Sequence, residues 1–168
     1  LQRKGLVDLV HMLHGIPGLQ SLALTTNAER LAPMADGLLA AGISRLNVSL
    51  DTLKPDRFRE LAGLDRFDRV LAGIDRAASL PFTARKLNCV PLHGVNDDEL
   101  PDLVRFGAER GFEVRFIEYM PFGSQWRRFR AVDAEAIIAS MEEAFGSVES
   151  LGTVRGETAQ RYRLPDGT

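Results

Sequence analysis

The chain has 168 residues, 45% of them apolar, which is enough for one domain with a real core. Its 21 basic and 23 acidic residues leave a net charge of −2, so no overall field recruits nucleic acid or an anionic membrane surface. A single cysteine, Cys89, excludes an internal disulfide and any metal site built from several cysteines of this chain. No apolar run reaches the ~20 residues of a membrane span, and no signal peptide opens the chain, so the cytoplasm is the expected compartment.

In chain order, "LVDLVHMLHGIPG" (Leu6 to Gly18) carries apolar residues at helical spacing and stops at Gly-Ile-Pro-Gly. "LQSLALTTN" reads as a short strand, and "ERLAPMADGLLAAG" as a helix ending at Gly42. "SRLNVSLD" alternates apolar Leu46, Val48 and Leu50 with polar Asn47, Ser49 and Asp51, a strand with one polar face. "KPDRFRELAG" predicts a short helix with Pro55 in its first turn. "FDRVLAGIDRAASL" predicts a longer one with Phe67, Val70, Leu71, Ile74 and Ala78 on one stripe. "ARKLNCVPL" is a strand, followed by the helix "DELPDLVRFGAERG" with Asp98 as N-cap, and "EVRFIEYM" (Glu113 to Met120) is the next strand. This alternation predicts an α/β fold with a parallel sheet. After Pro121 come a polar, aromatic loop, the amphipathic helix "AEAIIASMEEAFG" and a strand-like tail "RYRLPDGT". The expected division is therefore a core over 1–121 and a linker with the start of a further region over 122–168.

Polar alternation is out of place in a parallel sheet buried by helices on both faces. The pattern recurs: Lys86 and Asn88 oppose Leu87 and Cys89, and Arg115 lies with Ile117 and Tyr119. Such side chains do not fill a dry barrel interior, since each would cost several kcal/mol unpaired. An open or partial barrel facing a polar ligand accounts for them, with Lys86 and Arg115 selecting an anion such as phosphate. The alternative is structural: Lys86 reaching solvent at a strand end, and Arg115 paired with Asp51 or Glu118.

Four ordered segments, "LALTTN", "RLNVSLDTLKPDRFRELAG", "KLNCVPLHGVNDDEL" and "VRFIEYMPFG", resemble the GTP 3′,8-cyclases of molybdenum cofactor biosynthesis, a family of radical S-adenosylmethionine enzymes. The resemblance covers nearly the whole chain. It implies a partial (β/α)6 barrel, TIM-like, with the first two strands missing and the start of a C-terminal extension. It implies S-adenosylmethionine and two [4Fe-4S] clusters as cofactors, GTP as substrate and 3′,8-cyclo-7,8-dihydro-GTP as product. A 5′-deoxyadenosyl radical would take the ribose 3′ hydrogen, and cyclic pyranopterin monophosphate synthase would follow in the pathway. Position by position, Thr25, Lys86 and Arg115 match contacts to GTP, and Ser49 and Met120 match contacts to S-adenosylmethionine. Asn88 joins them on the face of Lys86. Met120 has the opposite strand parity from Arg115, so a bulge or a backbone contact is needed to bring both to one cavity.

The chain departs from the family in lacking its cluster cysteines and its "GGEP" segment. It therefore resembles the middle of such an enzyme and is expected to be inactive alone, with no catalytic or metal-binding residue of its own. Another radical S-adenosylmethionine enzyme with a phosphorylated substrate, and a nucleotide-binding module without chemistry, remain open readings. Dimerisation is possible on this resemblance, whereas nucleic-acid and membrane partners are not expected. Ala28 stands where the family has glycine after Asn27, which strains the turn if it needs a positive φ. His11 and His14, three apart on the first helix, read as surface residues, and "NDDEL" as helix capping. "QWRRFR" reads as a loop rather than a nucleic-acid patch.

Overall fold

Four parallel strands in the order β1-β2-β3-β4 form the centre of the molecule. The computed structural model describes residues 1–121, 129–153 and 159–167. The strands are β1 (Leu22–Thr26), β2 (Ile43–Ser49), β3 (Ala84–Cys89) and β4 (Glu113–Phe116). Helix α1 (Leu6–His14) precedes β1, and α2 (Ala35–Ala40) joins β1 to β2. The next connection holds α3 (Pro55–Ala62) and α4 (Phe67–Ala78), and the last holds a 3₁₀ turn at Asp97–Glu99 leading into α5 (Leu100–Glu109). Beyond β4 come α6 (Ala134–Phe145) and an antiparallel pair, β5 (Glu149–Thr153) with β6 (Gln160–Arg163). The expected α/β class and parallel sheet are therefore present.

Among the described residues, the helices cover one face of the sheet. Leu46, Val48, Leu87 and Cys89 are fully buried there against Leu38 of α2, Ile74 and Ala77 of α4, and Leu103 of α5. Each leucine or isoleucine so buried contributes roughly 1.5–3 kcal/mol. Met141 of α6 and Leu164 after β6 join the same core, so segment 122–168 shares it with segment 1–121. Asp133 caps α6 by accepting from the Ala136 amide (2.8 Å), and Arg105 of α5 lies over the Phe145 ring (4.8 Å to its centre).

Several elements differ from expectation for local reasons. The helix expected from Glu29 begins only at Ala35, because Pro33 has no amide to give an earlier turn. The buried stripe of α4 runs Phe67, Val70, Gly73, Ile74 and Ala77, and the expected Leu71 and Ala78 pack half-buried against the same core beside it. Strand β3 stops at Cys89: the Val90 amide is taken by the Asp51 carboxylate (2.8 Å), and Pro91 has no amide. The Ile117 amide bonds to the Cys89 carbonyl (2.8 Å), the last rung available, so β4 ends at Phe116 rather than running to Met120. Gly42 ends its helix with φ +115°, and Ala28 has φ +59°, the strained turn expected of an alanine there. β5 had no sequence signal beyond its neighbours and was not expected.

Candidate functional site

The polar side chains of the four strands share the uncovered face. Strand register places Thr25, Asn47, Lys86 and Glu113 side by side in one row, and Ser49, Asn88 and Arg115 in the next. Ser49 is the last residue of its strand, and Thr25, Asn88 and Arg115 are each next to last. The site therefore lies at the carboxyl ends of the strands, where open α/β sheets bind ligands. Thr25 and Lys86 are two strands apart, about 10 Å.

Lys86 is buried, only 7% exposed, although it stands on the open face. A buried ammonium needs a counter-charge. Glu113 is one such partner: one carboxylate oxygen lies 3.3 Å from Lys86 Nζ and 3.2 Å from Arg115 Nε, and the other lies 3.8 Å from Arg161 of β6. Burial alone would raise the Glu113 carboxyl pKa, but the Arg115 hydrogen bond and Lys86 outweigh it, and the net shift is downward. This corrects the alternative pairing of Arg115 with Asp51 or Glu118. Asp51 is committed to the Val90 amide, and burial pushes its carboxyl pKa upward against that bond. Asn47, unassigned in the sequence, donates to Thr25 Oγ1 (3.3 Å) and orients it.

Asn88 Oδ1 is buried on this face and accepts no hydrogen bond from the described residues. An orphaned acceptor between Ser49 and Arg115 fits a ligand that brings a donor, such as an amino or hydroxyl group. Met120 is placed differently. It lies four residues past the end of β4, is 60% exposed, and is not on the strand register that assembles the others. The parity conflict with Arg115 thus disappears, since the chain has left the sheet.

Beneath the site two loops are tied together by side chains that the sequence did not mark as partners. Asn96, fully buried, accepts from the Leu92 amide (2.7 Å) and donates to the Asp51 and Val90 carbonyls (2.7 and 3.1 Å). Glu99, 1% exposed, accepts from Thr52 Oγ1 (2.7 Å), the Leu53 amide (2.8 Å) and Arg57. Asp98 is not an N-cap. It pairs with Lys54 (2.5 Å) and Arg57 (2.6 Å), whose hydrogen bonds pull its carboxyl pKa down to about 2. Asp97 accepts from the Gly94 amide (3.0 Å), so "NDDEL" braces loops rather than caps a helix. The signal that could have found this network was the cluster Thr52, Lys54 and Arg57 facing an acidic run of similar length.

A cleft of about 120 Å³ opens beside Ser49, lined by Asn27, Asp51, Phe58, Leu64 and Arg66. It is smaller than the roughly 300–1,000 Å³ of ligand pockets, so the open face itself is the candidate site. Cys89 is on the helix-covered side, its thiol pKa raised by burial and then by Asp51 and Glu99, which excludes an easily formed thiolate. Among the described residues no group of three or more His, Cys, Asp and Glu could hold a metal ion, and no helix is long and apolar enough to cross a membrane. Most of "QWRRFR" lies outside the described residues.

The profile of the Radical SAM superfamily matches residues 1–107. The chain belongs to the radical SAM superfamily. Within it, the chain is 42% identical over its whole length to GTP 3′,8-cyclase of Pseudomonas syringae pv. syringae, covering 46% of that protein. It is 43% identical over 99% of its length to the GTP 3′,8-cyclase of Pseudomonas putida F1, covering 50%. GTP 3′,8-cyclase 1 of Mycobacterium tuberculosis matches 90% of the chain at 42% identity, covering 43%. The chain thus spans about half the length of these relatives. A crystallised domain of pyruvate-formate lyase-activating enzyme from Bacteroides vulgatus superposes with a TM-score of 0.61 at 17% identity, covering 83% of each chain. That likeness concerns the fold alone, and it agrees with a partial barrel wall.

Proposed function

We propose that this chain forms the part of a GTP 3′,8-cyclase that holds S-adenosylmethionine and GTP against each other. The observation that carries the reading is the polar row at the strand ends, with buried Lys86 and the orphaned Asn88 acceptor on one open face. The names of the relatives support GTP as the substrate. Lys86 and Arg115 would hold phosphoryl oxygens through charge-assisted hydrogen bonds, and Thr25 a further polar group of GTP. Ser49 and Asn88 would hold polar atoms of S-adenosylmethionine. Met120 would reach the same cofactor from the segment after β4.

When bound, S-adenosylmethionine supplies the hydrogen-abstracting radical chemistry of this superfamily. Asn88 fits such a ligand because its buried acceptor awaits a donor. The described residues do not fit an iron-sulfur cluster, since the one cysteine is buried on the other face and no cluster of three or more His, Cys, Asp and Glu among them could hold a metal ion. The contribution of this chain is therefore orientation and charge complementarity.

The test is calorimetry on the full-length gene product with Lys86→Ala. GTP affinity should fall by about 1.5–3 kcal/mol, the scale of a lost charge-assisted hydrogen bond, while S-adenosylmethionine binding stays the same. An equal loss for GTP and guanosine would show that Lys86 does not read phosphate.

A further inference from the structure

The two cations assigned to phosphate share one carboxylate. Glu113 is the register neighbour of Lys86 across β3 and β4, and it precedes Arg115 by two residues on the same face. A single oxygen, Oε1, lies within 3.3 Å of Lys86 Nζ and 3.2 Å of Arg115 Nε. Its side chain is 41% exposed, whereas that of Lys86 is 9% exposed. The carboxylate is therefore the more solvent-accessible partner of this pair.

We infer that Glu113 is an internal stand-in for the ligand's phosphate, a competing carboxylate that a bound phosphoryl group displaces from Lys86 and Arg115. Three facts lead there. A buried ammonium is stable only with anionic groups around it, and Glu113 is one that also touches Arg115. The carboxylate and a phosphoryl oxygen present the same chemistry to both donors. Glu113 is also the partner with freedom to leave, since it is partly exposed, and Arg161 of β6 lies 3.8 Å from its other oxygen, ready to keep it paired. The consequence is selectivity. A weakly charged ligand gains too little to expel a carboxylate, whereas a polyphosphate brings several negative charges to the same two cations.

This inference rests on Lys86 reading phosphate, and one set of measurements separates the two. Glu113→Gln and Glu113→Ala are compared with Lys86→Ala in the full-length protein, with GTP and guanosine titrated into each and melting temperatures recorded. Removing the competitor should tighten GTP binding roughly five- to tenfold, the size of one partly exposed ion pair, and leave guanosine unchanged. A Glu113 that merely braces Lys86 and Arg115 predicts the opposite, a weaker affinity in both variants. Unchanged or weaker GTP binding in Glu113→Gln, with Lys86→Ala still weakening it, overturns the stand-in role and leaves the phosphate reading intact. If Lys86→Ala has no effect on GTP, both fall together. Should Glu113→Gln melt early, Glu113→Ala decides by the same criterion, and tightening in neither variant overturns the inference.

Discussion

Two glycines in helices should respond in opposite directions to the same substitution. At Gly73 of α4 an added Cβ would lie 2.4 Å from the Ala28 carbonyl oxygen, 3.1 Å from Leu31 Cβ and 3.2 Å from Ala28 Cβ. The nearest obstacle is backbone, and it cannot swing aside. Ala28 is fully buried at φ +59°, its amide accepted by Thr26 Oγ1 (3.1 Å) and its carbonyl accepting from the Leu31 amide (2.9 Å). Gly73→Ala gains about 1 kcal/mol of helix propensity, but forcing α4 off this turn costs about 3 kcal/mol or more, the upper end for overpacking, because the obstacle at so short a distance is backbone. At Gly37 of α2 the new Cβ would meet only the Val7 methyls at 3.7 and 3.9 Å, ordinary contact. There the propensity gain of about 0.5–1 kcal/mol stands unopposed. Thermal unfolding of both variants should show Gly37→Ala melting about 1–4 °C higher and Gly73→Ala lower by at least as much. A Gly73→Ala protein as stable as the parent would refute the close approach of α4 to the turn that follows Thr25.

The neighbours Val48 and Ser49 should fail differently. Val48→Ser removes a fully buried side chain and leaves a hydroxyl in the core, lowering stability by about 1–3 kcal/mol. Ser49→Val, on the open face, should leave melting nearly unchanged but weaken S-adenosylmethionine binding by a similar amount, as titration of the full-length protein would reveal. Glu99→Gln turns amide hydrogens toward at least one of the donors of Thr52, Leu53 and Arg57, and should cost about 1–3 kcal/mol in a urea titration. For Asp98, whose folded pKa of about 2 is below its unfolded value, the stabilisation is complete above about pH 4 and lost as pH falls toward 2. Because that side chain is half exposed, Asp98→Asn should cost under ~1 kcal/mol at pH 7, and the difference should shrink steadily below pH 4.

Strand identity and facing were legible because a period of two is hard to produce by accident. Leu46, Val48, Leu87 and Cys89 fell on the covered side, and Ser49, Lys86 and Asn88 on the open one. Strand ends were less legible. They depend on which neighbour offers the next rung, and the capture of the Val90 amide by Asp51 could not be read from "NCVPL". Charges were read by type but not by partner. Glu113 looked like the polar start of a strand, yet register rather than sequence distance sets it beside Lys86. Asp98 and Glu99 looked like helix-start acids, because capping is the commonest use of that composition. The basic residues that claim Asp98 lie 41 and 44 positions earlier.

The bracing between the two loops at the strand ends is reciprocal, and that sets how they can move. Asp51, in the first loop, holds the Val90 amide of the second, while Glu99, beside the second, holds the Leu53 amide of the first. Asn96 ties the Asp51 carbonyl to both ends of its own loop. Neither loop can open without breaking bonds that belong to the other. The pair should behave as one cooperative unit, with its amides exchanging their hydrogens through a shared opening rather than by independent fraying. Thermal motion at the site would then come from the exposed side chains, while the backbone that carries Ser49 and Asn88 stays in step.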